Sequence, residues 1–512
     1  MERRWWTLLA VCVGTFMLLL DVTIVNVALP DIQRSLKSSF SDLQWTINAY
    51  ALTLAALLLT AGSLADLYGR RRLFAIGLVM FTSASLLCGV APSALFLIIA
   101  RAAQGIGGAT MFATSLALLA QAFRGPERGV AFSIWGAVTG IAVAVGPVIG
   151  GALTSGLSWR WIFFVNLPIG IAAVAVTLLK VDESRESQAR RPDWLGVVTF
   201  SGSLATLIYA LIKGNDLGWG STTIVACLAA SVALMAGFVA AERVQRTPMF
   251  DLALFRKPTF SGGAVVAFSI SASLFAMFLY LVLYLQNILR YSALQTGLRL
   301  LVISGGIFFA SAIAGRLTTK VPVRILLGTG LALIGAGLLM MRGITVGSSW
   351  THLIPGFLVA GVGAGFVNPP LASTAIGVVE PRRAGMASGI NSTFRQVGIA
   401  TGIAALGAIF ESQVRTHAQS ALAAVHGLTG AQAHEIATRF AAGDAAHAIA
   451  SAPPTARGAV LNASQASFIA GLNEILLVAA ILAFAGAALA YVLVRGRDFV
   501  AAPSMEAVAA TA

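Results

Sequence analysis

Charge is scarce in this sequence. Asp, Glu, Lys and Arg make up 11% of its 512 residues, against roughly 25% in ordinary soluble domains. With 58% hydrophobic residues there is no polar shell to cover a water-soluble globule of this size. Cysteine is rarer still: Cys12, Cys88 and Cys227 lie in separate apolar runs, too far apart for a metal motif, and they indicate no disulfide framework. Lysine is nearly absent, five against 29 arginines, and the dipeptide Gly-Lys does not occur. A Walker A phosphate loop is therefore excluded, and ATP hydrolysis by that route with it. His434-Glu435 opens like a zincin helix, but Thr438 stands where the second histidine belongs. No Gly-x-Ser-x-Gly elbow is present. The expectation is a non-enzyme without metal or cofactor, and the formal charge of +14 has no polar domain to offer to nucleic acid.

What the chain has in abundance is apolar runs of spanning length. They fall at about 6–28, 44–65, 73–91, 94–123, 130–157, 162–180, 194–213, 222–241, 259–289, 296–317, 323–342, 352–377, 384–410 and 467–494. A helix needs about 20 apolar residues to cross a bilayer, so these are fourteen spans. Backbone groups in lipid must be paired within the segment, which leaves helices and predicts an all-α polytopic membrane protein. The 52 glycines suit close helix packing. The N-terminus resembles the start of a signal peptide, but Asp21 interrupts its apolar run and no small-x-small cleavage site is evident, so it reads as an uncleaved first helix.

Cation placement gives the orientation. Segments on one side hold 22 Lys and Arg, including Arg3, Arg4, Arg70–Arg72, Arg382 and Arg383; the other side holds nine. The positive-inside rule puts both termini in the cytoplasm, with the protein multi-pass in the cell membrane. Three arginines, Arg101, Arg299 and Arg395, fall within spans. Two polar inner linkers, Asp182–Asp193 and Glu242–Pro258, bracket the seventh and eighth helices. The expected organisation is a six-helix bundle (1–181), a linker with a peripheral hairpin (182–258), a second six-helix bundle (259–496) and a cytoplasmic tail (497–512). Gly62–Gly77 and Gly315–Gly330 share Gly, Leu, Arg, Leu and Gly at matching offsets, an internal repeat of the kind that builds secondary transporters. The longest non-membrane stretch, the outer loop 411–465, is rich in Ala and carries four of the five histidines. A short amphipathic cap is expected there; a metal site is the minor alternative, since the histidines lack tight ligand spacing.

Polar residues inside the spans are the candidate machinery. Asp21 sits near the outer end of the first apolar run. It reads either as a proton carrier or as a fixed structural ion pair. In the fourth helix Arg101, Gln104, Gly105 and Gly108 share a face, so the guanidinium meets a closely approaching helix rather than lipid. In the fifth, Gly136, Gly140, Pro147 and Gly151 form a smooth strip, with Gly146 and Gly150 beside it; sliding and static packing both suit it. In the thirteenth, Ser388, Asn391, Arg395, Gly398 and Gly402 form a second polar-and-small stripe. Trp45, Asn48, Tyr50, Tyr280, Tyr284, Gln286, Phe366 and Asn368 are candidates to line a pocket, and Glu474 in the last helix is a second proton-site candidate.

These residues resemble the major facilitator superfamily, in particular its fourteen-helix drug:proton antiporter branch. Gly62-Ser-Leu-Ala-Asp66-Leu-Tyr-Gly69-Arg70-Arg71-Arg72 is similar to the family's inner-loop signature. Arg101 with Gln104-Gly105 is similar to its fourth-helix signature, and Gly140 through Gly146-Pro147 and Gly150-Gly151 to the fifth-helix element of exporters. Asp21-Val-Thr-Ile-Val-Asn-Val-Ala-Leu-Pro30, Trp159–Gly170, Pro192–Gly196 and Arg395-Gln396-Val-Gly398 add to the likeness, which covers about residues 10–410. Leu67 replaces a usual basic residue, and Thr319 replaces the acid in the second-half repeat. The resemblance implies two pseudo-symmetric six-helix bundles rocking around a midplane cavity. It implies a monomer in the lipid bilayer exporting drugs or other amphipathic or cationic small molecules, driven by the proton gradient without ATP. Asp21 and Arg101 would couple protons, and Asp66 with Arg70–Arg72 would latch the inner side. Export of an endogenous metabolite, antibiotic or siderophore for self-protection is the alternative. Proton symport, a membrane receptor and a membrane enzyme rank lower, since the sequence offers no ligand-sensing domain and no nucleophile cluster.

Overall fold

The computed structural model describes residues 2–123, 125–185, 192–245, 248, 250–318, 320–379 and 384–499. Thr319, Arg382, Arg383 and the tail from 500 onward lie outside the described residues. Among the described residues there are helices and no strand. Fourteen helices are long and apolar enough to cross a membrane. In chain order these are α1 (Arg3–Leu36), α2 (Phe40–Tyr68), α3 (Arg70–Gly89), α4 (Ala94–Ala122), α5 (Gly125–Gly156) and α6 (Trp161–Lys180). The pair α7 (Trp194–Leu217) and α8 (Thr222–Val244) follows. Then come α9 (Pro258–Ile288), α10 (Ala293–Leu317), α11 (Val323–Met341), α12 (Trp350–Ala375) and α13 (Ala384–Ala423). Two short outer helices, α14 (Gly430–Ala441) and α15 (Ala445–Ser451), precede the last span, α16 (Arg457–Leu493).

The halves repeat one packing plan. In the first, α1 packs on α5, and α4 packs on both α2 and α3; in the second, α9 packs on α13, and α12 on both α10 and α11. The second helix of each half starts with the same device. Ser39 with Asp42 and Ser292 with Gln295 each form a capping box, so two orphan backbone donors are satisfied reciprocally. Close crossings rest on glycine in both halves. A methyl at Gly77 or Gly107 would press into the backbone of the facing helix in the α3–α4 pair, and the same holds for Gly330, Gly337 and Gly363 between α11 and α12.

Helix lengths differ from the apolar runs in two informative places. α1 continues through Pro30 to Leu36, where Lys37 closes it in a left-handed conformation (φ 51°). Asp21 is therefore at mid-helix rather than near the outer end, because the helix persists beyond the residues that look apolar. Likewise α13 runs to Ala423 and α16 begins at Arg457, so both ends of the expected outer loop 411–465 are helical extensions of spans. The remainder forms the amphipathic cap: α14 buries Ala433, Ile436, Ala437, Phe440 and Ala441 on one face. It rests on the first half, where Phe40 N–H donates to Ala442 C=O (2.9 Å) and Gln33 Nε2 to Gly443 C=O (3.3 Å).

The halves meet mainly through α5 with α10, α2 with α13, and α1 with α9. The hairpin α7–α8 is held together by Ser203 Oγ donating to Ser231 C=O (2.8 Å). It leans on the α2–α13 seam through α7, where Ile208 and Ile212 pack with Ala51, Ala400 and Ala404. The α2–α13 seam is filled along its length, from Gln44 against Gly407 to Leu59 against Gly389. The α5–α10 seam is not. Gly151 lies against Ala293 and Leu294, Gly297 against Pro147, and Ser155 Oγ accepts from Leu294 N–H (2.9 Å). Inward of these contacts, Gly136 and Gly140 have no neighbour within 4 Å of where a side chain would start. On the Gly297 face of α10, Leu301 and Phe308 are 39% and 44% exposed. The seam is shut at its Gly151 end and stands open at its Gly136 end.

Candidate functional site

The first half holds a polar cluster near the middle of α1, built from α1, α2 and α4. Asp21 is fully buried and Arg101 is 1% exposed. Arg101 Nη1 donates to Asp21 Oδ2 and also to Gln104 Oε1 (2.8 Å), while Gln104 Nε2 donates to Asp21 Oδ1 (2.8 Å). Arg101 Nε reaches Thr46 C=O (3.3 Å), and the guanidinium lies over the Tyr50 ring, 4.3 Å from its centroid. The local cause is the small face of α4. Gly105 abuts the Tyr50 carbonyl and Gly108 abuts the Tyr50 hydroxyl, so α2 comes close enough to lay that ring on the cation. Both carboxylate oxygens are occupied, which is how a charged pair is tolerated in a span. Asn48, fully buried nearby on α2, has neither amide atom partnered.

The strip on α5 divides by neighbour. Gly146 and Gly150 press on Thr23 and Ile24 of α1, within a turn of Asp21; Pro147 and Gly151 press on α10; Gly136 and Gly140 touch nothing. A single apolar strip in sequence is thus two contacts and one gap. Pro147 lies inside the helix, between the closed and open portions.

On the inner side, Asp66 pairs with Arg70 (2.8 Å) within its own turn. Gly62 has only Ala113 Cβ as a neighbour, at 3.9 Å. Gly69 has φ 114°, and its missing side chain leaves room for the Glu183 carboxylate, 2.7 Å from where a Cβ would sit. Glu183 accepts from Arg71 N–H (3.1 Å) and lies 3.6 Å from Arg72 Nε. Arg70 N–H donates to Ser184 C=O (2.9 Å). This inner loop is docked on the end of α6, within its own half. Glu183 was not among the sequence candidates; the signal is the acidic Asp182-Glu183 at the end of α6, answering the basic run at Arg70–Arg72. Asp182 itself pairs with Arg3 at the start of α1. The second half has a counterpart: Asp498, just past α16, accepts from Thr259 Oγ1 at the start of α9 (2.7 Å). That hydrogen bond holds the Asp498 carboxyl below its usual pKa.

In the second half Arg395, half-buried on α13, donates to Asn368 Oδ1 of α12 (2.9 Å). Asn391, one turn inward, reaches Leu371 C=O at 3.5 Å. Gly398 and Gly402 press on the α9 backbone around Phe268 and Ala272, beside a π-helical stretch at Ser271–Phe275. The other pocket candidates scatter. Tyr280 and Tyr284 are buried, donating to Ile403 C=O (2.7 Å) and Ser348 C=O (3.4 Å). Gln286 donates across the halves to Val27 C=O (2.7 Å) near the outer end, where it joins rather than lines. Trp45 packs at the α2–α7 contact. Glu474 lies partly buried on α16 and has no side-chain hydrogen bond or ion pair among the described residues. Arg299 stacks on Tyr291 (3.6 Å) and Trp350 (4.9 Å) near the outer end of α10. A buried acid absent from the sequence candidates, Glu411, lies inside α13 at 5% exposure, within 3.5 Å of Asn215 Nδ2 on α7. The sequence puts it in the outer loop because the apolar run stops before it, whereas α13 continues to Ala423. No group of three or more His, Cys, Asp or Glu able to hold a metal occurs among the described residues.

Residues 11–403 match the family model described as Major Facilitator Superfamily. The chain is 39% identical over 404 residues to "Multidrug resistance protein Stp" of Mycobacterium tuberculosis (strain CDC 1551 / Oshkosh), covering 79% of this chain and 75% of that one. It is 37% identical over 434 residues to "Puromycin resistance protein pur8" of Streptomyces alboniger, covering 84% and 85%. Among solved structures it resembles a bacterial homolog of the human lysosomal transporter Spinster in an inward-facing, occupied conformation. There the TM-score is 0.65 at 15% identity, over 98% of this chain and 99% of that one. With its fourteen spans and its two halves of like packing, the chain belongs to the major facilitator superfamily of membrane transporters.

Proposed function

We propose that this protein exports antibiotic-like small molecules across the cytoplasmic membrane in exchange for protons, as a monomer with both termini inside. The relatives named for multidrug and puromycin resistance support an antibiotic-like substrate. They favour self-protection against such compounds over a general preference for amphipathic cations. Twenty-two cations on the side of the termini against nine on the other support the orientation.

The observation that carries the coupling is the closed Asp21–Arg101–Gln104 cluster, one turn from the α1–α5 glycine contact. In the conformation described here the α5–α10 seam is shut outside and open inside, and Asp21 is held by Arg101. On this reading it is the state that follows release of the proton inward and precedes uptake of cargo. Alternating access then closes the inner half of the seam, Gly136 and Gly140 giving α5 a face that α10 can approach, while the outer contacts at Gly151 and Gly297 part. A proton arriving from outside neutralises Asp21 and loosens its hold on Arg101, and α1 shifts against α5. Return to the inward-open state re-forms the pair and expels the proton. Asp66 with Arg70–Arg72 latches the inner side in the outward-open state, which requires the loop to leave Glu183. The membrane potential adds about 2.3 kcal/mol per charge per 100 mV.

Asp21→Asn tests this. Inverted vesicles carrying the variant should lose pH-gradient-driven accumulation of tetracenomycin C, for whose export a 34% identical relative from Streptomyces glaucescens is named, by about 100-fold or more, as expected when an essential titrating group is removed, with expression unchanged. Accumulation at the wild-type rate would overturn the coupling role of Asp21.

A further inference from the structure

Arg395 is an intramembrane cation without a counter-ion. A charged guanidinium in a span is costly unless it is paired or faces water, and it marks a ligand path by default. Asp21 is already occupied by Arg101 and Gln104. Glu411 is 16 residues further along α13, about 24 Å at 1.5 Å per residue, and lies against Asn215. Glu474 makes no ion pair. Among the described residues no carboxylate reaches Arg395, whose one side-chain partner is the neutral Asn368. Two neutral amides share its neighbourhood: Asn368, whose oxygen takes the Arg395 hydrogen bond and whose nitrogen is left as a donor, and, one turn away on the same face of α13, Asn391, whose nitrogen reaches Leu371 C=O at 3.5 Å. By helical register Arg395 lies between the α13 faces that contact α9 (Gly398, Gly402) and α2 (Gly389, Thr393), and its side chain keeps some exposure.

We propose that Arg395, with Asn368 and Asn391, is the binding site for an acidic group on the cargo, a carboxylate or an ionised phenol or enol. This deepens the export reading above by naming the substrate class, and it rests on that reading only for direction of travel. A planar guanidinium with free N–H groups matches a carboxylate in two parallel hydrogen bonds. A cationic cargo would instead meet an uncompensated positive charge. A purely structural clamp between α12 and α13 would explain the Asn368 bond but not a guanidinium where an uncharged donor would do.

The test is equilibrium binding to purified full-length protein in neutral detergent, with no gradient, of three fluorescent probes sharing one ring system. These are 1-pyrenebutyrate, 1-pyrenebutanol and a (1-pyrenyl)butyl-trimethylammonium salt. Wild type should bind the carboxylate at least tenfold more tightly than the alcohol and bind the ammonium most weakly. Arg395→Gln should erase that order, and Arg395→Lys should keep it in weakened form. Equal affinity for the three probes, tighter binding of the ammonium, or an order unchanged in Arg395→Gln would each overturn the proposal. A variant that merely loses a clamp weakens all three probes alike, and this too overturns it. Because binding is read without a proton gradient, failure here is distinct from failure of proton coupling, which Asp21→Asn reports.

Discussion

The two halves share a packing plan yet treat their buried arginines in opposite ways. Arg101 is neutralised by Asp21, bonded to Gln104 and Thr46 and roofed by Tyr50. Arg395 has one amide oxygen. The first arrangement is a closed electrostatic unit in which removal of either member strands a charge. The second leaves charge available. The same packing plan thus occurs twice, and the polar residues placed on it differ between the halves, which is the basis for proposing a proton site in one and a cargo site in the other.

The sharpest way to break that comparison is by stability. Arg101→Ala leaves Asp21 buried and unpaired and should cost about 3–5 kcal/mol. Arg395→Gln, which strands no carboxylate, should stay within about 1 kcal/mol of wild type. Thermal unfolding in detergent decides it, and equal losses would mean that Arg395 has a counter-ion after all. Next in size is Gly69→Ala. The positive φ and the Glu183 carboxylate both oppose a side chain there, for about 1–3 kcal/mol of strain, and Glu183→Gln combined with it should recover only the small electrostatic share. Gly140→Leu separates motion from stability. Its side chain enters open space here, so unfolding should shift by under about 0.5 kcal/mol, while transport falls because the inner α5–α10 seam no longer closes. Undiminished transport would mean that seam stays open throughout. The smallest effect is expected at Asp498→Asn. A carboxyl held below its usual pKa stabilises the fold above the ordinary Asp pKa of about 3.9 and loses that contribution as pH falls through its folded value. Wild type and variant should therefore differ slightly at pH 7 and converge toward pH 3.

Much of this was legible in the chain. Fourteen apolar runs became fourteen helices because lipid leaves the backbone no other way to pair. The pairing of Arg101 with a neighbouring helix followed from its glycines at i+4 and i+7. Less visible were features set by helix ends and by long-range contact. Asp21 proved central because α1 outruns its apolar stretch, and Glu411 proved buried because α13 does the same. Glu183 emerged only when α6 brought it over Gly69, more than a hundred residues away in sequence. The α5 strip looked uniform, since spacing records which residues share a face and not what stands opposite.

Local sequence alone determined the solvent and the number of spans, because both depend on runs of hydrophobicity, and its short motifs carried the likeness to the family. Tertiary structure decided which buried arginine is neutralised, which end of the α5–α10 seam is shut, and that α7 pads the α2–α13 seam. Those are properties of distances between helices far apart in sequence, and a charge becomes paired or free only when the partner's position is fixed.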